Sequence, residues 1–146
     1  MILVDTTVWI DFFRGRDTTQ VQNLERLIGE NADICVCGVI LTEVLQGIRE
    51  DKDYATASAR FESFIYLPMG QMTFKNAAEM YRTLRRKGVT IRNAVDCMIA
   101  AVAIEHDIPL LHNDRDFVPI AQNCGLKMID TDNPPTNKSS IRLRRR

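Results

Sequence analysis

Three carboxylate side chains lie in apolar stretches of the chain, where an ionised group is costly to bury. Asp5, Glu43 and Asp96 are each the only charged residue in a run of ten or more. An unpaired carboxylate in such surroundings costs several kcal/mol or stays protonated. No basic residue lies near enough in sequence to be an obvious partner. A shared cation would compensate all three together, so a metal site is the first hypothesis.

An acid-rich segment after a predicted strand adds Asp114 and Asp116 to this set. Carboxylate oxygens suit hard cations, so the set favours Mg²⁺ or Mn²⁺ over zinc. Each acid could instead have a purely structural role, and these alternatives stay open. Asp5 could cap the helix that follows it, and Asp96 could occupy the first turn of a helix, where free backbone N–H groups stabilise an acid. Glu43 is predicted in mid-helix and would need a distant arginine.

Short apolar runs alternate with longer helical patterns along the chain. Strands this apolar, separated by helices, indicate a parallel sheet covered on both faces. We therefore predict the α/β class, a three-layer α/β/α fold with a central parallel sheet of four to five strands. Ligands in such folds bind beyond the carboxyl ends of the strands, where Asp5 and Asp114 fall. The strands are predicted at residues 2–4, 34–37, 109–112 and 127–129. The helices are predicted from residue 8 and at 19–29, 40–50, 53–65, 74–87, 93–106 and 117–123.

The distribution of charge divides the chain into a body and a tail. Residues 1–133 carry 14 basic and 19 acidic residues, whereas residues 134–146 carry five basic residues and no acid. We predict one domain over the body and disorder in the tail, because a Pro-Pro pair is followed there by polar and basic residues. Cations bound to four of the acids would almost neutralise the body and make a polyanionic substrate acceptable.

Other sequence features point to a cytoplasmic protein without a membrane segment. No apolar run approaches the length that spans a bilayer, and the N-terminus lacks the pattern of a secretory signal. In a reducing cytosol, cysteines in apolar segments are usually small buried hydrophobes. We expect this of the four cysteines, Cys35, Cys37, Cys97 and Cys124.

Four motifs contain these acids: Leu3-Val-Asp5-Thr-Thr-Val-Trp-Ile-Asp11, Thr42-Glu43-Val-Leu-Gln-Gly47, Ile91-Arg-Asn-Ala-Val-Asp96-Cys-Met-Ile-Ala-Ala101 and Leu111-His-Asn-Asp114-Arg-Asp-Phe117. In this order and spacing they resemble the PIN-domain family, in particular the toxin nucleases of VapBC toxin–antitoxin pairs. The resemblance covers about residues 1–130 and implies a sheet flanked by helices, with the acids gathered at one end. It makes residues 1–133 a PIN-like nuclease domain, and the basic tail lies outside it.

The resemblance also implies roles for individual residues. Thr7 matches the small hydroxyl residue that steadies the acid cluster in the family. Asp116 is a neighbour that either helps through water or pairs with Arg115. The residues implied in catalysis and metal binding are Asp5, Glu43, Asp96 and Asp114.

By the same resemblance, the chain is a Mg²⁺- or Mn²⁺-dependent endoribonuclease toxin that a cognate VapB-like antitoxin neutralises. The implied reaction is hydrolysis of RNA phosphodiester bonds, leaving 5′-phosphate and 3′-hydroxyl ends. We also expect a homodimer and a toxin–antitoxin hetero-oligomer. A basic run before the Asp96 helix is predicted to contact RNA phosphates, with a solvated helix face as the alternative. The run consists of Arg82, Arg85, Arg86, Lys87 and Arg92.

Other functions compete with this hypothesis. A metal-dependent phosphatase of the haloacid-dehalogenase type would have a second aspartate where Thr7 stands. A phospho-receiver domain would need adjacent acids and a late lysine after a strand, and neither is convincing. A non-catalytic PIN-like interaction module stays open, because acids alone do not prove turnover. Metal-dependent cleavage of RNA separates the enzyme from the module.

Overall fold

The computed structural model describes residues 1–129 and 143–145. Predictions that fall on residues 130–142 and 146 lie outside the described residues. Within the described ranges, short strands alternate with helices. In chain order the elements are β1 (Ile2–Val4), α1 (Thr6–Phe13), α2 (Thr19–Gly29), β2 (Ile34–Cys37), α3 (Gly38–Gln46), α4 (Asp51–Glu62), β3 (Ile65–Leu67), α5 (Gln71–Arg86), α6 (Ala94–Glu105), β4 (Leu110–Leu111), α7 (Phe117–Cys124), β5 (Lys127–Ile129) and β6 (Leu143–Arg145).

The strands form one sheet in the order β3-β2-β1-β4-β5-β6. The first five are parallel, and β6 pairs antiparallel with β5. This confirms the predicted α/β class with a central parallel sheet. β1 lies between β2 and β4, so the chain order reverses at β1. A crevice at the carboxyl end of the sheet is expected at such a reversal, and ligands bind there in this class of fold.

Two layers of packed helices account for the apolar character of the inner strands. α1 packs against α2 and α3, and α5 packs against α6 and α7. The side chains of β1, β2 and β4 are buried at every position, as expected for strands covered on both faces. Trp9 is fully buried and packs against Phe61 and Phe64, which places it in the core. Among the described residues, no helix is long and apolar enough to cross a membrane.

Two strands of the structure, β3 and β6, were not predicted, and helix α3 ends at Gln46 rather than at residue 50. The helix predicted at 53–65 ends at Glu62, and Ile65 begins strand β3 at the edge of the sheet. Ile65 and Tyr66 are exposed, so this short strand lacks a clear apolar signal. The second departure is β6, which lies within the tail for which we predicted disorder.

The cysteines behave as the sequence predicted. Cys35, Cys37 and Cys97 are buried, Cys124 is partly buried, and all four are free thiols. Burial raises the pKa of Cys37 and of Cys97 to about 11. Thiols with so high a pKa are protonated near neutral pH and are poor nucleophiles. They therefore contribute packing rather than chemistry.

Candidate active site

The predicted site residues come from four places that meet at the carboxyl edge of the sheet. Asp5 directly follows β1, and Glu43 lies on α3, which begins at the end of β2. Asp96 lies in the first turn of α6. Asp114 and Asp116 occupy the loop between β4 and α7. The topology thus gathers acids that are separated by up to about a hundred residues in sequence.

Asp5 is almost completely buried and is held by the two residues that follow it. It is the N-cap of α1, which confirms that Asp5 caps the helix that follows it. The helix therefore begins at Thr6 rather than at residue 8. Its Oδ2 accepts hydrogen bonds from the Thr7 hydroxyl at 2.6 Å and from the Thr7 backbone N–H at 3.1 Å. The Thr7 hydroxyl also accepts a hydrogen bond from the backbone N–H of Asn113. Thr7 therefore ties Asp5 to the loop after β4.

Burial determines the protonation of Asp5. Desolvation raises its pKa to about 6, and repulsion from Glu43 adds to this, although hydrogen bonds from Thr7 and Thr6 act in the opposite direction. A carboxyl with this pKa is largely ionised at neutral pH. It can therefore act as a ligand for a cation without prior deprotonation.

Asp96 has the most perturbed carboxyl of the site. It is 8% exposed, and it lies in the first turn of α6, which Asn93 caps. The helix N-terminus was one interpretation of this acid, yet its pKa is raised to about 7. Desolvation is the largest cause, followed by repulsion from four other acids, in the order Asp114, Asp5, Asp116 and Glu43.

Three of the acids are close enough to share a cation. One carboxylate oxygen from each of Asp96, Asp114 and Asp116 lies within 4.8 Å of the other two. The donor set consists of carboxylate oxygens, which fits Mg²⁺ or Mn²⁺. Burial is the main cause of the raised pKa of Asp96, and the neighbouring acids add repulsion that a divalent cation would relieve. Asp5 and Glu43 lie outside this closest group but act on Asp96 through charge.

The loop between β4 and α7 is held by its own polar groups. The Asp114 backbone N–H donates to Nδ1 of His112 at 3.2 Å, and the Asp116 backbone N–H donates to Oδ1 of Asp114 at 2.9 Å. Burial lowers the pKa of His112, so its ring is neutral and can accept that hydrogen bond. His112 was the last residue of the predicted strand at 109–112; in the structure it directly follows β4 and orients the loop.

Arg92 is the basic partner that the sequence did not show. Its Nε lies 3.2 Å from Oδ2 of Asp116, and its Nη2 lies 3.7 Å from Oδ1 of Asp114. The proposed pairing of Asp116 with Arg115 is therefore replaced by a pairing with Arg92. The sequence placed Arg92 among the RNA contacts, and the structure places it on the acid cluster.

Sequence reasoning also missed Thr6. Its hydroxyl donates to Oε1 of Glu43 at 2.8 Å, and its side chain is buried. This contact joins α1 to α3 at the edge of the site. A hydroxyl residue beside Asp5 was the available signal, but only the packing of the two helices shows which threonine faces Glu43.

The remaining members of the basic run lie at the end of α5 and are exposed. Arg82 pairs with Glu79 on the same helix, and Lys87 donates to Asn123 on α7. Arg85 stacks over the ring of Tyr81. These contacts are compatible with either a phosphate-binding surface or a solvated helix face. Contact with RNA stays a prediction for Arg82, Arg85, Arg86 and Lys87.

The chain matches a known family model and several known proteins. The model described as PIN domain matches residues 2–123. Ribonuclease VapC11 of Mycobacterium tuberculosis is 36% identical over 129 residues, which is 87% of this chain and 96% of that protein. Ribonuclease VapC1 of Methanocaldococcus jannaschii is 31% identical over 129 residues, covering 88% of this chain and 87% of its own length.

A solved structure shares the fold. VapBC2 from Rickettsia felis, bound to a DNA fragment from its promoter, superposes with a TM-score of 0.70 at 20% identity. The match covers 88% of this chain and 97% of that chain. At this level of identity the likeness supports the arrangement of strands and helices alone.

Proposed function

The chain belongs to the PIN domain family, and we propose that it is a metal-dependent endoribonuclease that acts as the toxin of a toxin–antitoxin pair. One observation carries this proposal: four further acids lie around buried Asp96 at the carboxyl edge of the sheet. The relatives named ribonucleases support RNA as the substrate.

In this proposal the acids bind the ion and the threonines orient the acids. Asp5, Glu43, Asp96 and Asp114 hold Mg²⁺ or Mn²⁺, and Asp116 is a further candidate ligand because it lies with Asp96 and Asp114. A bound ion would supply an activated water near neutral pH and would offset the charge that develops on the phosphodiester. Thr7 holds Asp5 and Thr6 holds Glu43 in place. Preorganised ligands avoid the cost of reorientation when the ion and substrate bind.

RNA contact is assigned to the exposed basic side chains at the end of α5. Arg85 and Arg86 lie in the last turn of that helix, a few residues before α6 and Asp96. Contacts to phosphates position a nucleic acid without selecting its sequence. The positive charge of these side chains would attract RNA despite the net negative charge of residues 1–133.

Two partners complete the proposal. The first is a cognate VapB-like antitoxin, supported by the relatives of 36% and 31% identity that carry the VapC name. The second is another copy of this chain, which would give a homodimer and, with the antitoxin, a hetero-oligomer in the cytoplasm. The homodimer is supported by the apolar surface of α5, on which Met72 is 61% exposed and Phe74 is 45% exposed.

Cleavage of RNA by the purified chain tests the enzymatic part. Wild-type protein should cleave RNA with Mn²⁺ or Mg²⁺ and lose activity with a chelator. Asp5→Asn, Glu43→Gln and Asp96→Asn should each reduce the rate by at least a hundredfold, because each removes a charge that the proposed ion requires. Full activity in the presence of a chelator would show that cleavage does not depend on a metal ion. Folded, metal-binding protein that cleaves no RNA would favour the interaction module, and release of phosphate from a monoester would favour the phosphatase.

The toxin part is tested with the same variants in cells. Expression of the wild-type chain should arrest growth, and co-expression of the antitoxin should restore it. Sequencing of RNA 5′ ends after brief expression would identify the cleaved RNA. Growth arrest of equal strength by Asp5→Asn would separate toxicity from the nuclease chemistry.

A further inference from the structure

The loop between α5 and α6 brings an arginine against the acid cluster. Arg92 uses two different guanidinium nitrogens to contact two different carboxylates, Asp116 at 3.2 Å and Asp114 at 3.7 Å. These two acids also belong to the group whose oxygens lie within 4.8 Å of one another. The guanidinium therefore lies beside the carboxylates that would bind a cation at Asp114 and Asp116.

The charges of the site divide into two parts. Within residues 1–129, Arg92 is the only basic side chain that forms an ion pair with any of the five acids. It pairs with Asp114 and Asp116, which we call the outer acids. Asp5, Glu43 and Asp96 are the inner acids. Two of the inner acids have other partners: Asp5 accepts hydrogen bonds from Thr7, and Glu43 accepts one from Thr6. A hydroxyl donates a hydrogen bond without adding a positive charge, so within residues 1–129 no ion pair offsets the charge of the inner acids.

The backbone on either side of Arg92 is anchored. Ile91 is 4% exposed in the core, and Asn93 caps α6 by accepting a hydrogen bond from the Val95 backbone N–H at 3.0 Å. The side chain of Arg92 is 77% exposed. An exposed ion pair is weak by itself, but anchoring the backbone reduces the entropy lost when the pair forms. The arginine is thus held near the outer acids even though solvent reaches it.

On this basis we propose that Arg92 is a built-in counter-ion that replaces a second metal ion, so that the chain binds one divalent cation tightly and a second one only weakly. The inference rests on the proposed metal site. A second divalent ion at Asp114 and Asp116 would meet the guanidinium within the same few ångströms, where like charges repel. The tight position is then the one that Asp96 shares with Asp5 and Glu43, none of which forms an ion pair within residues 1–129.

Counting bound Mn²⁺ tests this inference without RNA. The full chain, stripped of metal, is titrated with Mn²⁺ by calorimetry, and free Mn²⁺ is measured by electron paramagnetic resonance. Wild type should bind one Mn²⁺ per chain, with a second at least tenfold weaker. Arg92→Gln should bind the second ion at least tenfold more tightly than wild type does. The matched control is Arg16→Gln, because Arg16 is also exposed and pairs with an aspartate, Asp11, outside the cluster.

Each result has a definite meaning. Two ions of similar affinity on wild type, or an Arg92→Gln variant with an unchanged second site, would overturn the inference while leaving a metal-dependent nuclease intact. The same gain in Arg16→Gln would also overturn it, because any lost positive charge would then suffice. A wild-type chain that binds no Mn²⁺ would remove both the inference and the metal dependence of the proposed function.

Discussion

Asp5 and Asp96 are both buried acids, but different surroundings set their charge. Asp5 receives hydrogen bonds from Thr7 that offset part of the effect of burial, and its pKa is raised only to about 6. Asp96 faces four acids in addition to burial, and its pKa is raised to about 7. Raised carboxyl pKa values that cluster in one place are typical of functional sites.

The metal-free protein should become less stable as pH rises, and Asp96 should be one cause. A folded-state pKa of about 7, above the model value of 3.8, means that the folded chain binds this proton more tightly than the unfolded chain. The stabilisation is fully present below pH 3.8 and is lost as pH rises through about 7. Asp96→Asn should therefore raise the free energy of unfolding by about 1 to 2 kcal/mol at pH 8 in a chelator.

Thermal melting at pH 5 and pH 8 measures this effect. The difference between Asp96→Asn and wild type should be larger at pH 8 than at pH 5. Asp53→Asn, at an exposed position of α4, is the control for the loss of one carboxylate outside the site. A variant that is less stable than wild type at pH 8 would show that Asp96 stabilises the fold as a helix-terminal acid.

At the level of elements, two basic segments have different attachments to the domain. The end of α5 is part of a sixteen-residue helix that packs along α6, the helix that carries Asp96. The tail contributes the three-residue strand β6, which pairs with β5 at the edge of the sheet. A rigid helix can hold a phosphate at a set distance from the acids. A tail would mainly raise the local concentration of RNA.

Replacing Arg85 and Arg86 with Ala should lower the cleavage rate at saturating RNA more than deletion of residues 134–146 does. The deletion should weaken RNA binding only modestly and flatten its salt dependence, because fewer phosphate contacts release fewer counter-ions. Single-turnover cleavage at two salt concentrations compares the variants. Thermal melting accompanies it, because the deletion also removes β6. A folded deletion variant without activity, beside an active double-Ala variant, would reverse this assignment.

The whole molecule presents an apolar surface that a single copy leaves in solvent. A groove between α5 and α6 is lined mainly by apolar groups, including those of Phe74, Tyr81, Ala94 and Met98. Ala94 is the first residue of the helix that carries Asp96. A second copy bound at this surface would remove these apolar side chains from water.

The proposed homodimer should therefore dissociate when charge is placed on this surface. Phe74→Glu is expected to shift the chain from dimer to monomer in light scattering, because a carboxylate would be desolvated in the interface. Phe74 is 45% exposed, so the substitution leaves the core intact. Tyr54→Glu, at a similarly exposed aromatic position on α4, is the control and should stay dimeric. A dimeric Phe74→Glu variant would place the interface elsewhere.

The sequence by itself determined the class of the fold and most of the acids. Strands that are apolar at every position can only be covered on both faces, and isolated acids within apolar runs need compensation. These are local signals, so Asp5, Glu43 and Asp96 could be identified without any long-range contact. Asp114 and Asp116 stood out because they follow a strand.

The tertiary structure alone decided which groups serve those acids. Thr6 contacts Glu43 across 37 positions, and Arg92 contacts Asp116 across 24. These contacts form because helices α1 and α3 and the loops before α6 and α7 meet at the carboxyl edge of the sheet. Strand β3 could also be identified only from the structure. Two of its three residues are exposed, and it is an edge strand that pairs with β2. Such partners depend on distances set by the sheet order, which no periodicity within one segment encodes.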